Sequence, residues 1–169
     1  ALDFRQILLD ACAEANGVAY DYSQFDEAYN GMGTTIVGGV IKNNGNGYII
    51  NVGDSRAYYI SRRNDAIEQV TRDHSLVEEL VEYGAITKDQ ARRHPQRNVI
   101  TRALGSEATV EADYYEVNLQ SGDILLLCSD GLSNLISELE MLDYAKEYPE
   151  PELLCRALMS KALMRGAPD

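Results

Sequence analysis

Apolar side chains recur every three or four residues near the start of the chain, at Phe4, Ile7, Leu8, Ala11, Cys12, Ala15, Val18, Ala19 and Tyr22. That period predicts a helix over about 3–22, with Asp3 placed to cap its start. A polar stretch from Ser23 to Asn30 reads as loop, and then the period shortens. Residues 34–41 and 48–52 read as strands joined by Asn43-Asn44-Gly45-Asn46-Gly47, followed by strands at 57–61 and 66–70 in a meander. From Ser75 the helical period returns at Leu76, Val77, Leu80 and Val81 and ends near Gly84. Thr87 is placed to cap a second short helix that Pro95 stops. Residues 113–119 and 123–129 resemble a hairpin turning at Gln120-Ser121-Gly122, and helices at about 137–147 and 151–165 close the chain. Strands joined by tight turns imply an antiparallel α+β protein rather than a parallel βαβ one.

At 169 residues the prior is one domain, large enough to bury ~70% of the surface its unfolded chain exposes. The net charge of −12 argues against nucleic acid and anionic membrane as partners, since both recruit clustered Lys and Arg. Cys12, Cys128 and Cys155 are an odd set without a CxxC pair, which points to buried reduced thiols and a cytoplasmic location. No apolar run reaches 18 residues and no signal peptide is visible. Starting at Ala1, the chain reads as cut or processed.

Three carboxylates carry the candidate chemistry. Asp54 stands in Asn51-Val52-Gly53-Asp54-Ser55-Arg56 and Asp130 in Leu127-Cys128-Ser129-Asp130-Gly131, each after an apolar run that delivers it to a strand end. Asp169 closes Gly166-Ala167-Pro168-Asp169. Hard oxygen ligands on separate segments suit Mg²⁺ or Mn²⁺. Bland readings stand beside each: a β-turn at Asp54, a helix cap at Asp130, a solvated terminus at Asp169. His74 and His94 read as structural or surface residues, and Arg56 as a residue that pairs with a carboxylate or packs its stem rather than binding substrate phosphate.

Taken in order, Gly33-Thr34-Thr35, the Gly53-Asp54-Ser55-Arg56 segment, Thr71-Arg72-Asp73-His74-Ser75, His94-Pro95, the run from Asn98 to Gly105, Cys128 to Leu132, and Gly166 to Asp169 resemble the bacterial branch of the metal-dependent serine/threonine phosphatases, the protein phosphatase 2C family. The resemblance spans about 31–169. It implies an α+β fold, a four-layer αββα sandwich of antiparallel sheets, and hydrolysis of phosphoserine and phosphothreonine on proteins. By the same resemblance, Asp130 is a shared ligand of a Mn²⁺ or Mg²⁺ cluster, Asp169 a ligand of the first core ion and Asp54 a ligand of a third, looser ion. The implied nucleophile is a metal-bound water, so no side chain is assigned as catalytic. Residues 71–104 match a flap beside the active site.

The departures set further expectations. The family's first strands bring an Asp, a phosphate-binding Arg and an Asp-Gly-x-Gly-Gly whose acid bridges the core ions, and none of these precedes Gly31. Gly31-Met32-Gly33 has no Asp before it and reads as the start of the Gly-Thr-Thr strand. The chain is therefore expected to be a fragment of a single catalytic domain, truncated at both ends, and inactive or weakly active alone. A non-catalytic binding or regulatory module on the same fold is the alternative. Expected partners are phosphorylated proteins and a cognate Ser/Thr kinase, with homodimerisation through exposed sheet edges a further option.

Overall fold

In the computed structural model, which describes residues 2–25 and 27–167, Cys12 of helix α1 (Phe4–Phe25) packs against Ile50, Val52 and Leu104. Ile50 and Val52 are alternate residues of β2 (Asn46–Val52), so one face of that strand meets the helix. Strand β2 lies between β1 (Ile36–Ile41) and β5 (Asp113–Asn118), all antiparallel. A second antiparallel sheet has the order β4 (Ala66–Gln69), β3 (Arg56–Ser61), β6 (Ile124–Cys128). Its outer face, through Tyr58, Ile60 and Leu126, packs on α5 (Glu138–Glu147) and α6 (Pro151–Met164), burying Met141, Leu142, Leu154 and Leu158. The remaining alternate positions, including the fully buried Ile49 and Ala57, turn toward the space between the sheets. The layers run α, β, β, α, and the antiparallel α+β sandwich is as expected.

Two local expectations are corrected. Residues 113–119 and 123–129 do not form a hairpin: β5 pairs with β2 and β6 with β3, so the turn at 120–122 carries the chain from one sheet to the other. Likewise β2 and β3 are consecutive but unpaired, which breaks the meander at residues 53–55. Turn residues look alike whether they close a hairpin or bridge two layers, so local sequence cannot separate the cases.

The buried face of α1 is also displaced from the apolar stripe. It runs through Cys12, Asn16 and Ser23, while Ile7, Val18 and Tyr22 are exposed. Asn16 donates to the carbonyls of Glu107 (3.1 Å) and Ala108 (3.3 Å) and accepts from the Gly105 amide (2.9 Å). A polar residue can sit there because the facing loop supplies backbone partners. Of the cysteines, Cys12 is buried, Cys128 is half-buried and Cys155 is exposed, against the expectation of three buried thiols.

Between β4 and β5 the chain makes an excursion with two short helices. Ser75 caps α2 (Leu76–Glu82), and Thr87 with Gln90 forms a capping box on α3 (Lys88–Arg92). The excursion is closed at its base, where Leu76 N–H meets the Val99 carbonyl (2.9 Å) and Thr101 N–H meets the His74 carbonyl (2.9 Å). The short helix α4 (Asp130–Ser133) follows β6 directly.

Candidate metal centre

The antiparallel register of β3 and β6 brings two of the three candidate acids together. Arg56 pairs with Cys128 at the end of the ladder. Asp54 lies just before β3 and Asp130 just after β6 at that same end, close enough for the Asp130 charge to act on the Asp54 carboxyl. Neither the turn nor the strand end alone carries this information, because it is a property of the pairing.

Asp54 sits in a turn held from several sides. Gly53 has φ +106°, and a Cβ there would lie 2.3 Å from Thr35 Cγ2, so only glycine fits. The Thr35 and Ser55 hydroxyls share a hydrogen bond of 2.8 Å on the other side of the acid. The Gly53 carbonyl accepts from His74 N–H (2.9 Å) and from Asn51 Nδ2 (3.2 Å), and the Gly53 amide donates to His74 Nδ1 (3.0 Å). Asn51 also donates to the Arg72 carbonyl (3.1 Å).

The electrostatics leave negative charge uncompensated. Burial pushes the Asp54 carboxyl above its ordinary value, the Asp130 charge pushes it further, and Asp73 adds to the effect. Its own backbone amide and the Arg56 charge offset only part of this. Arg56 is committed elsewhere: Nε donates to Asp73 Oδ1 (2.8 Å), Nη2 to Asp73 Oδ2 (2.6 Å) and Nη1 to the Tyr58 hydroxyl (3.0 Å). Burial opposes the Arg56 charge, but the Asp73 carboxylate outweighs it and holds the guanidinium above its usual range. Of the two roles expected for Arg56, pairing with a carboxylate is the one seen.

Asp130 opens α4, so the candidate cap is displaced: Ser129 occupies the cap position, without a side-chain cap bond. Asp130 Oδ2 accepts only from Asn134 Nδ2 (3.1 Å) among the described residues. Asp169 lies outside the described residues. Among those described, no three His, Cys, Asp or Glu side chains are grouped closely enough to hold a metal ion. What is assembled is a pair of hard carboxylates near enough to repel each other, a repulsion that a divalent cation would relieve, and that donor type fits Mg²⁺ or Mn²⁺.

The histidines have structural partners. His94 Nδ1 accepts from the Gln96 amide (3.1 Å) and steadies a turn, while His74 is buried against Gly53, Asp113 and Arg102. Sequence reasoning passed over two acids, Asp73 and Asp113. The first lay inside the Thr71-Arg72-Asp73-His74-Ser75 segment; the second was marked only as a strand start.

The chain is thus a four-layer antiparallel α+β sandwich with two mutually repelling aspartates at one end of the β3–β6 ladder. The sequence profile of protein phosphatase 2C matches residues 2–169, and the chain belongs to that family. The serine/threonine phosphatase stp of Listeria innocua is 41% identical over 156 residues, covering 92% of this chain and 61% of the relative. The solved serine/threonine phosphatase Stp1 from Staphylococcus aureus superposes with a TM-score of 0.90 at 37% identity, covering 98% of this chain and 64% of that one. The solved catalytic domain of the serine/threonine protein phosphatase PstP, in complex with two manganese ions, gives a TM-score of 0.87 at 31% identity, covering all of this chain and 69% of that one. The chain thus spans about three fifths of the length of the Listeria relative.

Proposed function

We propose that the protein hydrolyses phosphoserine and phosphothreonine esters on other proteins, in a reaction that needs Mn²⁺ or Mg²⁺. The observation that carries this reading is the Asp54–Asp130 pair, gathered at one end of the β3–β6 ladder where the two charges act on each other, in a chain of the protein phosphatase 2C family. Asp54 and Asp130 are the ligands this reading assigns among the described residues, and Asp169 is the third by family resemblance. A divalent ion bound there supplies activation of water and neutralisation of phosphate charge. The chain's own residues aim the ligands. Gly53 and Ser55 fix the Asp54 turn, and Asn134 holds one oxygen of Asp130.

In the same reading, residues 1–169 belong to one catalytic domain, and residues 71–104 form a flap that shapes access of the phosphoprotein. A cognate Ser/Thr kinase that installs the phosphate, a cytoplasmic location for the three free thiols, and pairing of two copies through sheet edges are parts of the proposal. At −12 the chain's charge disfavours nucleic acid and anionic membrane as partners. Because residues 1–169 contain no Asp-Gly-x-Gly-Gly, we infer that the isolated chain is inactive or weakly active. The non-catalytic alternative is not favoured, since the relatives are named as phosphatases.

The test is phosphate release from a phosphothreonine peptide by the longest natural form of the polypeptide. Release that requires Mn²⁺ and is lost in Asp130→Asn is expected. Release indifferent to both would overturn the proposal.

A further inference from the structure

His74 is 6% exposed, and its bonds converge on the residue before Asp54. Its own amide donates to the Gly53 carbonyl, which belongs to the peptide leading into Asp54, and its Nδ1 accepts from the Gly53 amide in the peptide before that. Both peptide planes that define Gly53 are therefore pinned by one residue, at a φ that only glycine tolerates. With Nδ1 an acceptor, the ring proton is assigned to Nε2. Asp113 Oδ2 lies 3.1 Å from Nε2 and accepts the hydrogen bond that Nε2–H donates. Arg102 Nη1, 3.2 Å from the same nitrogen, then has no lone pair to address and donates instead to Asp113 Oδ1 (2.9 Å) and the Glu111 carbonyl (2.8 Å). The His74 carbonyl accepts from Thr101 at the other end of the excursion.

We propose that His74 is a positioning residue for Asp54: Nδ1 and the backbone of His74 set the Gly53 peptides that aim the carboxylate, and Nε2 fastens that turn through Asp113 and Arg102 to the returning end of the 71–104 segment. The proposal rests on the reading of Asp54 as a metal ligand. Bonding partners that orient metal ligands, when removed, typically cost 10–100-fold in metal affinity. A buried histidine that only filled space would have no reason to spend Nδ1 on this one amide.

The two ring nitrogens can be tested separately. In His74→Asn the side-chain amide reaches the Nδ1 position and can accept from Gly53, but it falls short of Asp113. In His74→Gln it reaches Asp113 but leaves Gly53 without an acceptor. Mn²⁺ affinity by calorimetry and hydrogen exchange of the Gly53 amide in the metal-free chain are the two readouts. The expected result is that His74→Asn stays within about 3-fold of wild type in both, whereas His74→Gln loses about 10-fold or more in affinity and exchanges Gly53 at least about 10-fold faster. Equal behaviour of the two variants, or Gly53 protection unchanged in His74→Gln, would overturn it. If wild type binds no Mn²⁺, the metal reading fails by itself and Gly53 exchange still decides the positioning claim. Should neither histidine variant fold, Asp113→Leu, which frees Nε2 with His74 in place, is expected to speed Gly53 exchange relative to Asp113→Asn. No difference between those two would count against the proposal.

Discussion

Asp73 grips Arg56 through two guanidinium nitrogens, at 2.6 and 2.8 Å, with side chains only 10% and 25% exposed. The pairing commits the cation nearest in sequence to Asp54 to another carboxylate, so its charge offsets only part of the burial and repulsion at Asp54. It is also the least exposed Arg–carboxylate pair among the described residues. Breaking such a pair on one side strands a charge in a poorly hydrated site, at a cost of about 3 kcal/mol. Asp73→Ala is expected to lose that much in urea unfolding. The double variant Arg56→Met with Asp73→Leu should lose much less.

The turn before Asp54 makes a sharper demand. Gly53→Ala would meet Thr35 at 2.3 Å and hold an L-residue at φ +106°. Strain of this kind costs on the order of 1–3 kcal/mol. The melting temperature should fall accordingly, and Thr35→Gly in the same chain should recover the steric part but not the backbone part.

Leu158 is 2% exposed and lies in the cluster that joins the β3 sheet to α5 and α6. Leu158→Ala is expected to cost about 2–5 kcal/mol through lost burial and the cavity left behind. Leu163, 61% exposed on the same helix, offers the control, and Leu163→Ala should change stability by less than about 0.5 kcal/mol.

Acid sensitivity has a localised contribution at Glu140. The Arg165 guanidinium, helped by Ser137, holds this carboxyl down at about 2. A depressed folded value means that the stabilisation is complete above the unfolded pKa of ~4.3. It is then lost as pH falls through the folded value. The urea-midpoint advantage of wild type over Glu140→Gln at pH 7 should therefore vanish between about pH 5 and pH 2, and shrink in 1 M salt because the pair is exposed. An advantage that grew in acid would contradict the assignment.

Periodicity located the elements, because helices and strands are specified by neighbours three, four or two residues apart. Thr87 was legible as a helix cap, and the structure adds Gln90 to make it a capping box. Sheet membership was hidden, since Gln120-Ser121-Gly122 would serve a hairpin or a bridge between layers equally well. The face of α1 was hidden too, because Asn16 is buried only by virtue of carbonyls some 91 residues away. At the candidate site, Asp54 and Asp130 were each legible as acids at strand ends. Their meeting was not legible, since it depends on the Arg56–Cys128 register between strands separated by the whole 71–104 excursion. Asp113 went unnoticed as a site residue for the same reason: its partners His74 and Arg102 lie on other segments.

The most direct test is a calorimetric titration of the 169-residue chain with Mn²⁺ at neutral pH, beside Asp54→Asn and Asp130→Asn. Saturable binding, even weak, that either substitution abolishes is the predicted result. Absence of binding, or binding that survives both substitutions, would contradict the claim that these two aspartates share a cation.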